Sequence, residues 1–179
     1  DLAHSEEELR MILEASQEVG HIDEVEQTLM RRALTFGDQS VSDIMVPRTE
    51  LAALPTSLSV DQAIEQVAET NHTRYPAYEG DVDNIVGYVH VKELYRAPHD
   101  EAIKRLLRPI TFIAESSSIE LALQRFQSTR TPLALVVDEH GGTAGIVTIQ
   151  DVIEELIGEV QDEFAREEPA IQGGGDLGF

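Results

Sequence analysis

The middle of this chain contains one pattern twice, and this internal repeat restricts the possible folds more than any other feature of the sequence. Three segments recur in the same order at an offset of 56 to 59 residues. Single matching residues arise easily by chance, but three ordered matches at nearly one offset indicate a duplicated supersecondary unit. The aligned pairs are SVDQAIEQVAETN (from Ser59) with SIELALQRFQSTR (from Ser118), RYPAY (from Arg74) with RTPLAL (from Arg130), and GYVHVKEL (from Gly87) with GIVTIQDV (from Gly145).

Each copy predicts the order helix, strand, turn, strand, helix, which places the chain in the α/β (or α+β) class. Ser59 and Ser118 stand where N-caps belong, because a serine hydroxyl accepts a hydrogen bond from a free amide at the start of a helix. The run TPLALVV (131–137) is continuously apolar, as buried strands are, and DEHGG (138–142) is a turn between two strands.

Acidic helices are predicted before the repeats. Ser5 and Glu8 form a capping-box pattern that opens one helix, and a second helix is expected from Asp23 to about Leu34. We interpret the two as a solvated helical hairpin that packs against another part of the protein. The glycine-rich final segment predicts a flexible linker. The expected domains are a helical connector (1–37), two repeat units (38–98 and 99–163) and a linker (164–179).

Charge and composition argue against several classes of function. The chain has 13 basic and 34 acidic residues, which gives a formal net charge of -21. Such a charge repels nucleic acid backbones and anionic membrane surfaces, so neither is an expected partner. The sequence contains no cysteine and no apolar run of about 18 residues, so we expect neither a thiolate metal site nor a membrane span. Without a phosphate-binding loop or a nucleophile–base pair, we expect no catalytic residues and no enzyme.

One pair of polar residues lies at the strand-to-helix turn of the second unit. Thr148 and Asp151 are three residues apart in GIVTIQDVIEEL, a spacing that puts both side chains on one side of the turn. The pattern T-x-x-D is itself a capping box, in which Asp151 accepts from the amide of Thr148. A threonine and an ionised aspartate also suit a ligand that carries hydroxyl groups. Both interpretations stay open, and they are compatible.

These motifs resemble a tandem pair of CBS domains, and the similarity is closest to the CorC/CNNM group of magnesium-transport-associated, haemolysin-like membrane proteins. The resemblance implies two CBS units packed as a pseudo-twofold pair, preceded by helices that join the pair to a transmembrane domain. It also implies a cytosolic regulatory fragment of a membrane protein, and a homodimer formed through the CBS pairs. The segments that carry the resemblance are VSDIMVPRTEL (41–51), HTRYPAYEGDVDNIVGYVHVKEL (72–94) and DEHGGTAGIVTIQDVIEELIGEV (138–160).

The resemblance further implies an adenine-nucleotide site between the two units. Thr148 and Asp151 would bind the ribose, and Ile146 would line the adenine slot. Arg74 would approach the phosphates, with a surface ion pair as its alternative role. The remaining expected contacts come from the segments matched above and are His72, Tyr75, Pro76 and Val46, of which Pro76 has the start of a strand as its alternative role.

The first unit departs from this pattern. His90 stands where Thr148 stands in the second unit, and Glu93 stands where Asp151 stands. Both side chains are larger and would crowd a ribose, so we predict that this second cleft is empty or binds weakly. No further ligand lies at a spacing that would make His90 part of a metal site, and we expect no metal held by protein side chains alone.

Two functions follow as alternatives. In the first, the CBS pair binds an adenine nucleotide and thereby gates or regulates a membrane transporter of magnesium or other divalent cations. ATP with Mg²⁺ is the expected ligand, because few basic residues are available to balance three phosphates; AMP and ADP share the same ribose contacts. In the second, the pair is a ligand-free dimerisation module of the same membrane protein.

Overall fold

The computed structural model describes residues 5–70 and 72–158. The predicted linker (164–179) lies outside the described residues. The helices are α1 (Glu6–Glu18), α2 (Glu24–Thr35), α3 (Val41–Ile44), α4 (Val60–Val67), α5 (Val91–Leu94), α6 (Ile119–Thr129) and α7 (Ile149–Ile157). The strands are β1 (Val46–Pro47), β2 (Leu54–Pro55), β3 (Arg74–Tyr78), β4 (Ile85–His90), β5 (Thr111–Ala114), β6 (Leu133–Val137) and β7 (Thr143–Thr148).

Two sheets form, one in each repeat unit. The first has the strand order β2-β3-β4 and the second has the order β1-β7-β6-β5. In each sheet an antiparallel hairpin, β3–β4 or β6–β7, pairs in parallel with an outer strand, β2 or β5. Both hairpins carry a register shift at the equivalent place, after Ala77 and after Val136. The predicted order helix, strand, turn, strand, helix is confirmed in both units.

The repeated helices bury the same aligned positions. Ser59 and Ser118 cap α4 and α6, as predicted: the Ser59 hydroxyl accepts from the backbone amide of Gln62, and the Ser118 hydroxyl accepts from that of Leu121. The aligned residues Ala63 and Ala122 are fully buried, each in the core of its own unit. The apolar pattern of the repeat therefore marks the face of each helix that covers its sheet.

The register of the hairpins corrects one part of the sequence alignment. Arg74 pairs with His90, and Leu133 pairs with Thr148. Because His90 and Thr148 are equivalent, Leu133 and not Arg130 is the structural counterpart of Arg74. The alignment of RYPAY with RTPLAL was wrong because it shifted the offset between the two units. The segment from Ser59 to Arg74 is as long as the segment from Ser118 to Leu133, since the longer α6 is followed by a shorter connection. Arg130 ends α6 in a left-handed conformation, with φ at 54°.

Packing does not follow the order of the chain. Phe36 and Val41 belong to the core of the second unit, and β1 pairs with β7. Conversely, Ile103 belongs to the core of the first unit. Each unit is thus completed by the segment that precedes the other unit. This exchange carries β1 to the boundary between the two units.

The acidic connector folds as the predicted helical hairpin. Capping boxes at Ser5 and Asp23 open α1 and α2. The helix α2 has no buried residue, yet it packs against α7 of the second unit. In the part of the chain that the structure describes, no helix has the length and apolar character needed to cross a bilayer.

Candidate functional site

A cleft of about 380 Å³ lies between the two units. Its walls are β3 of the first unit, and β1, β7 and the start of α7 of the second. Its volume falls within the range of small-molecule sites. The cleft brings together seven of the eight expected contacts, which are Val46, His72, Arg74, Pro76, Ile146, Thr148 and Asp151.

Tyr75 is the expected contact that lies outside the cleft. Successive side chains of a strand point to opposite faces, so Arg74 and Pro76 line the cleft while Tyr75, at 2% exposure, fills the core of the first unit. The Tyr75 hydroxyl lies 2.6 Å from Thr70 Oγ1, and its ring contacts that of His72 edge-on, with the centroids 5.9 Å apart. Tyr75 therefore supports the wall of the cleft from behind.

Thr148 and Asp151 form the capping box at the start of α7. Asp151 Oδ2 accepts from Thr148 N at 2.7 Å and from Thr148 Oγ1 at 2.8 Å, and Thr148 Oγ1 accepts from Asp151 N at 3.2 Å. The capping interpretation is confirmed. Among the described residues, Asp151 Oδ1 has no hydrogen-bond donor, so the same carboxylate retains an oxygen for a ligand in the cleft.

The apolar wall of the cleft depends on a close contact between two strands. Val46 pairs with Ile146, and Pro47 pairs with Gly145. A Cβ atom on Gly145 would collide with the backbone carbonyl of Val46, so only glycine allows β1 to approach β7 this closely. Val46 and Ile146 consequently stand side by side, where a planar apolar group can contact both.

Arg74 supplies the guanidinium of the cleft. Its side chain makes no hydrogen bond or ion pair with another described residue, so its surface ion-pair role is not seen in this part of the chain. Burial of Arg74 is partial, and its position at the start of β3 leaves the head group accessible from the cleft. A free guanidinium at the edge of a cleft is suited to bind an anionic group.

Sequence reasoning missed several residues that line the cleft. Thr73 and Gln150 lie within the matched segments, next to Arg74 and Asp151, so their proximity to those residues was the available signal. The others carry no signal in the sequence, because their position follows from the exchange of β1 and from the corrected register of β6. Leu133, for example, reaches the cleft as the partner of Thr148. The missed residues are Glu50, Ala52, Thr73, Leu133 and Gln150.

The equivalent cleft of the first unit contains its own ion pair. Arg108 pairs with Tyr88 through two backbone hydrogen bonds of 2.8 and 3.0 Å, and so takes the place that Val46 has in the second unit. Its guanidinium donates two hydrogen bonds to Glu93, the counterpart of Asp151. One runs from Nε to Oε2 at 3.1 Å, and the other runs from Nη2 to Oε1. This hydrogen bonding lowers the pKa of Glu93 and raises that of Arg108.

His90 has a local structural role in this second cleft. Its Nδ1 accepts from Lys92 N at 3.1 Å and caps the short helix α5. Burial lowers the pKa of His90, and the nearby charges of Arg74 and Arg108 act in the same direction. Within the described residues no group of three His, Asp or Glu side chains is arranged to hold a metal ion.

The sequence of this chain is similar to those of known proteins. Its sequence matches the CBS domain family twice, over residues 41–100 and 103–158. A curated relative, UPF0053 protein YhdP of Bacillus subtilis, is 40% identical over 174 residues, which is 94% of this chain and 39% of the relative. The chain therefore spans about two fifths of the length of the curated relatives that it matches first.

Solved structures are similar over most of the chain. The CBS domain of a bacterial CNNM/CorC family Mg²⁺ transporter has a TM-score of 0.82 and 33% identity, and the similarity covers 89% of this chain and 100% of that one. The same kind of domain in complex with ATP has a TM-score of 0.72 and 31% identity, covering 75% and 99%. A CBS-domain pair with bound AMP from Klebsiella pneumoniae has a TM-score of 0.60 and 30% identity, covering 66% and 98%.

Proposed function

We propose that this chain, which belongs to the CBS-domain family and to its CNNM/CorC group, binds an adenine nucleotide in the cleft between its two units. The observation that carries the proposal is the meeting of an apolar slot, a free guanidinium and a carboxylate with an unused oxygen in one cleft of suitable size. The ATP and AMP complexes of similar CBS domains support an adenine nucleotide as the ligand.

Each part of a nucleotide has a counterpart in the cleft. Adenine lies against Val46 and Ile146, and the ribose hydroxyls donate to Asp151. The phosphates extend towards Arg74. Because one guanidinium cannot balance three phosphates, Mg²⁺-ATP is the form that we expect to bind, and the ion supplies charge neutralisation on the phosphate oxygens.

We expect one nucleotide per chain. In the second cleft, the Arg108–Glu93 ion pair engages the carboxylate that a ribose would need. Calorimetric titration of the protein with ATP in magnesium, and again in EDTA, should give a stoichiometry near one and a requirement for magnesium. Two sites per chain would show that the ion pair does not block the second cleft. No binding of ATP, ADP or AMP would leave Thr148 and Asp151 as a helix cap only.

The proposed role of the nucleotide is regulatory, in a cytosolic part of a membrane transporter of magnesium or other divalent cations. The helix α7 provides a route from the cleft to the acidic connector. Its first turn carries Asp151, and at its end Arg32 of α2 lies 3.4 Å from the carbonyl oxygen of Glu154. Gly158, with φ at 92°, leaves room for this guanidinium, since a Cβ there would lie 2.6 Å from Arg32 Nη1.

The contact between α2 and α7 is polar and therefore suited to reversible docking. A cavity of about 730 Å³ remains between the two elements. Gln39 Nε2 donates to Glu155 Oε2 at 3.1 Å beside it. If a nucleotide favours one arrangement of α7, it changes the docking of α2, and docking changes nucleotide affinity by the same factor.

Replacing Arg32 with alanine should weaken the docking of α2 by roughly twofold to fivefold, because a cation at a helix C-terminus contributes about 0.3–1 kcal/mol. In the wild type, Mg²⁺-ATP should alter amide hydrogen exchange in α2, and in R32A this response should shrink. Arg31 is the matched control, since it is the neighbouring arginine of α2 and does not line the cavity. A full response of α2 to ATP in R32A would contradict the proposed route.

A dimerisation role is the second candidate function. It is favoured by large apolar side chains exposed at the last helices of both units, with Tyr95, directly after α5, at 62% exposure, and with Ile153 at 39% and Ile157 at 50% on α7. Such a surface suits a homodimer through the CBS pairs. The two functions are compatible, and sedimentation of the protein with and without Mg²⁺-ATP separates a ligand-dependent dimer from one that ignores nucleotide.

A further inference from the structure

We propose that Asp83, which lies outside the cleft, positions both strands of its apolar slot, an inference that rests on the nucleotide-binding function proposed above. The slot is formed by Val46 of β1 and Ile146 of β7. Asp83 belongs to the turn between β3 and β4 of the first unit and does not line the cleft. Its carboxylate contacts the end of β1, and its backbone carbonyl contacts the start of β7. Asp83 is therefore a positioning residue and not a ligand contact.

The contact with β1 is an ion pair. Arg48 directly follows Pro47, the last residue of β1, and its Nε lies 2.9 Å from Asp83 Oδ1. Because β1 has only two residues and lies at the edge of its sheet, its own backbone pairing gives it little support. The ion pair ties the end of this short strand to the first unit. Both side chains are partly exposed, so the interaction is modest and is screened by salt.

The contact with β7 is a buried hydrogen bond. Thr143 is the first residue of β7, and its Oγ1 donates to the carbonyl oxygen of Asp83 at 3.1 Å. Thr143 is only 5% exposed, so its hydroxyl needs a partner within the protein. Since β1 and β7 are antiparallel, the end of β1 and the start of β7 lie at the same end of the slot. Asp83 thus holds both strands at that end.

Hydrogen bonds within its turn hold Asp83 in place. Asp83 N donates to Asp81 Oδ1 at 2.9 Å, and Asn84 N donates to Asp81 O at 2.8 Å. The side-chain amide of Asn84 donates to the carbonyl oxygen of Glu79 at 3.0 Å and joins the two ends of the turn. Asp83 is therefore fixed within the first unit, and the two strands of the slot follow the position of that unit.

The equivalent turn of the second unit, residues 138–142, does not hold the other unit in this way. Asp138 Oδ1 accepts from His140 N at 2.9 Å and from Gly142 N at 2.8 Å, and both bonds are internal to the turn. In the part of the chain that the structure describes, this turn makes no hydrogen bond or ion pair with the first unit. The tie through Asp83 therefore belongs to the proposed nucleotide slot and is not a general feature of the repeat.

The main test is D83N, which removes the charge that holds Arg48 and keeps the backbone carbonyl that accepts from Thr143. We expect D83N to bind Mg²⁺-ATP roughly twofold to fivefold more weakly than the wild type, the effect of losing an exposed ion pair. Removing a negative charge would by itself favour an anionic nucleotide, so weaker binding has the sign of a positional effect. E79Q is the matched control, because Glu79 lies in the same turn and pairs with Lys104 of the first unit at 2.7 Å.

Two further measurements separate the contacts. Between about 0.1 M and about 1 M sodium chloride, the ratio of Kd in D83N to Kd in the wild type should approach one, because a Debye length of about 3 Å screens the ion pair. T143V keeps the shape of the buried side chain and removes its hydroxyl, so it should bind more weakly at both salt concentrations. R48Q/D83N should bind like D83N, since both lack the same ion pair. Urea unfolding checks that each variant is folded.

The outcomes separate this inference from the function on which it rests. If the wild type binds Mg²⁺-ATP and D83N binds it as E79Q does, the role of Asp83 is wrong and the nucleotide site stands. If the loss in D83N is the same at both salt concentrations, if R48Q/D83N loses affinity additively, or if T143V binds like the wild type, the inference also fails. If the wild type binds none of ATP, ADP and AMP, the proposed function itself fails.

Discussion

Replacing Asp151 with alanine should lower nucleotide affinity by roughly 100-fold or more, because two charge-assisted hydrogen bonds to the ribose hydroxyls contribute about 1.5–3 kcal/mol each. The substitution also removes the acceptor of the Thr148 amide at the start of α7. Loss of such a cap costs about 1 kcal/mol of folding stability, which leaves a protein of this size folded. Calorimetric titration with Mg²⁺-ATP measures the affinity, and urea unfolding measures the stability.

The chain contains a matched control for this experiment. Asp43 accepts hydrogen bonds from the amide and the hydroxyl of Ser40 at 2.8 Å each, and Asp151 accepts the equivalent two from Thr148. Asp43 does not line the cleft. D43A should therefore lose a similar capping contribution and keep its nucleotide affinity. Wild-type affinity in D151A, or an equal loss in D43A, would assign the effect to capping rather than to ligand contact.

Replacing Gly145 with alanine should destabilise the protein by about 2–3 kcal/mol and lower its Tm by about 5–10 °C. The added Cβ would collide with the carbonyl of Val46 and lie 3.2 Å from the Cα of Pro47. Both obstacles are backbone atoms, so β1 must move away from β7. Since Val46 forms one wall of the cleft, nucleotide affinity should fall together with stability. Urea unfolding and ATP titration of the same preparation test both effects.

Gly37 provides the control for added side-chain volume. A Cβ on Gly37 would lie 3.5 Å from a side-chain oxygen of Glu120, an ordinary van der Waals separation. G37A should accordingly change stability far less than G145A and leave nucleotide affinity intact. If G145A were as stable as the wild type, the close approach of β1 to β7 would not be required for the fold.

The sequence determined the local elements of this protein because their causes are local. A capping residue and the residue three positions later specify a helix start, as at Ser5, Asp23 and Thr148. Apolar spacing within the repeat identified the buried face of α4 and α6. Motif similarity to CBS domains, which the comparisons confirm, then supplied the arrangement of two units that no single segment specifies.

Tertiary structure alone decided which of these elements meet. The place of β1 beside β7 is a contact across about 100 residues of chain, and it brings Val46 and Glu50 to the cleft. Strand pairing places Tyr75 in the core. Strand register, which depends on the pairing partners, also makes Leu133, and not Arg130, the counterpart of Arg74. The Arg108–Glu93 ion pair likewise joins two segments that the sequence keeps apart. Long-range pairing is fixed by the sum of many packed contacts, so no short motif reveals it.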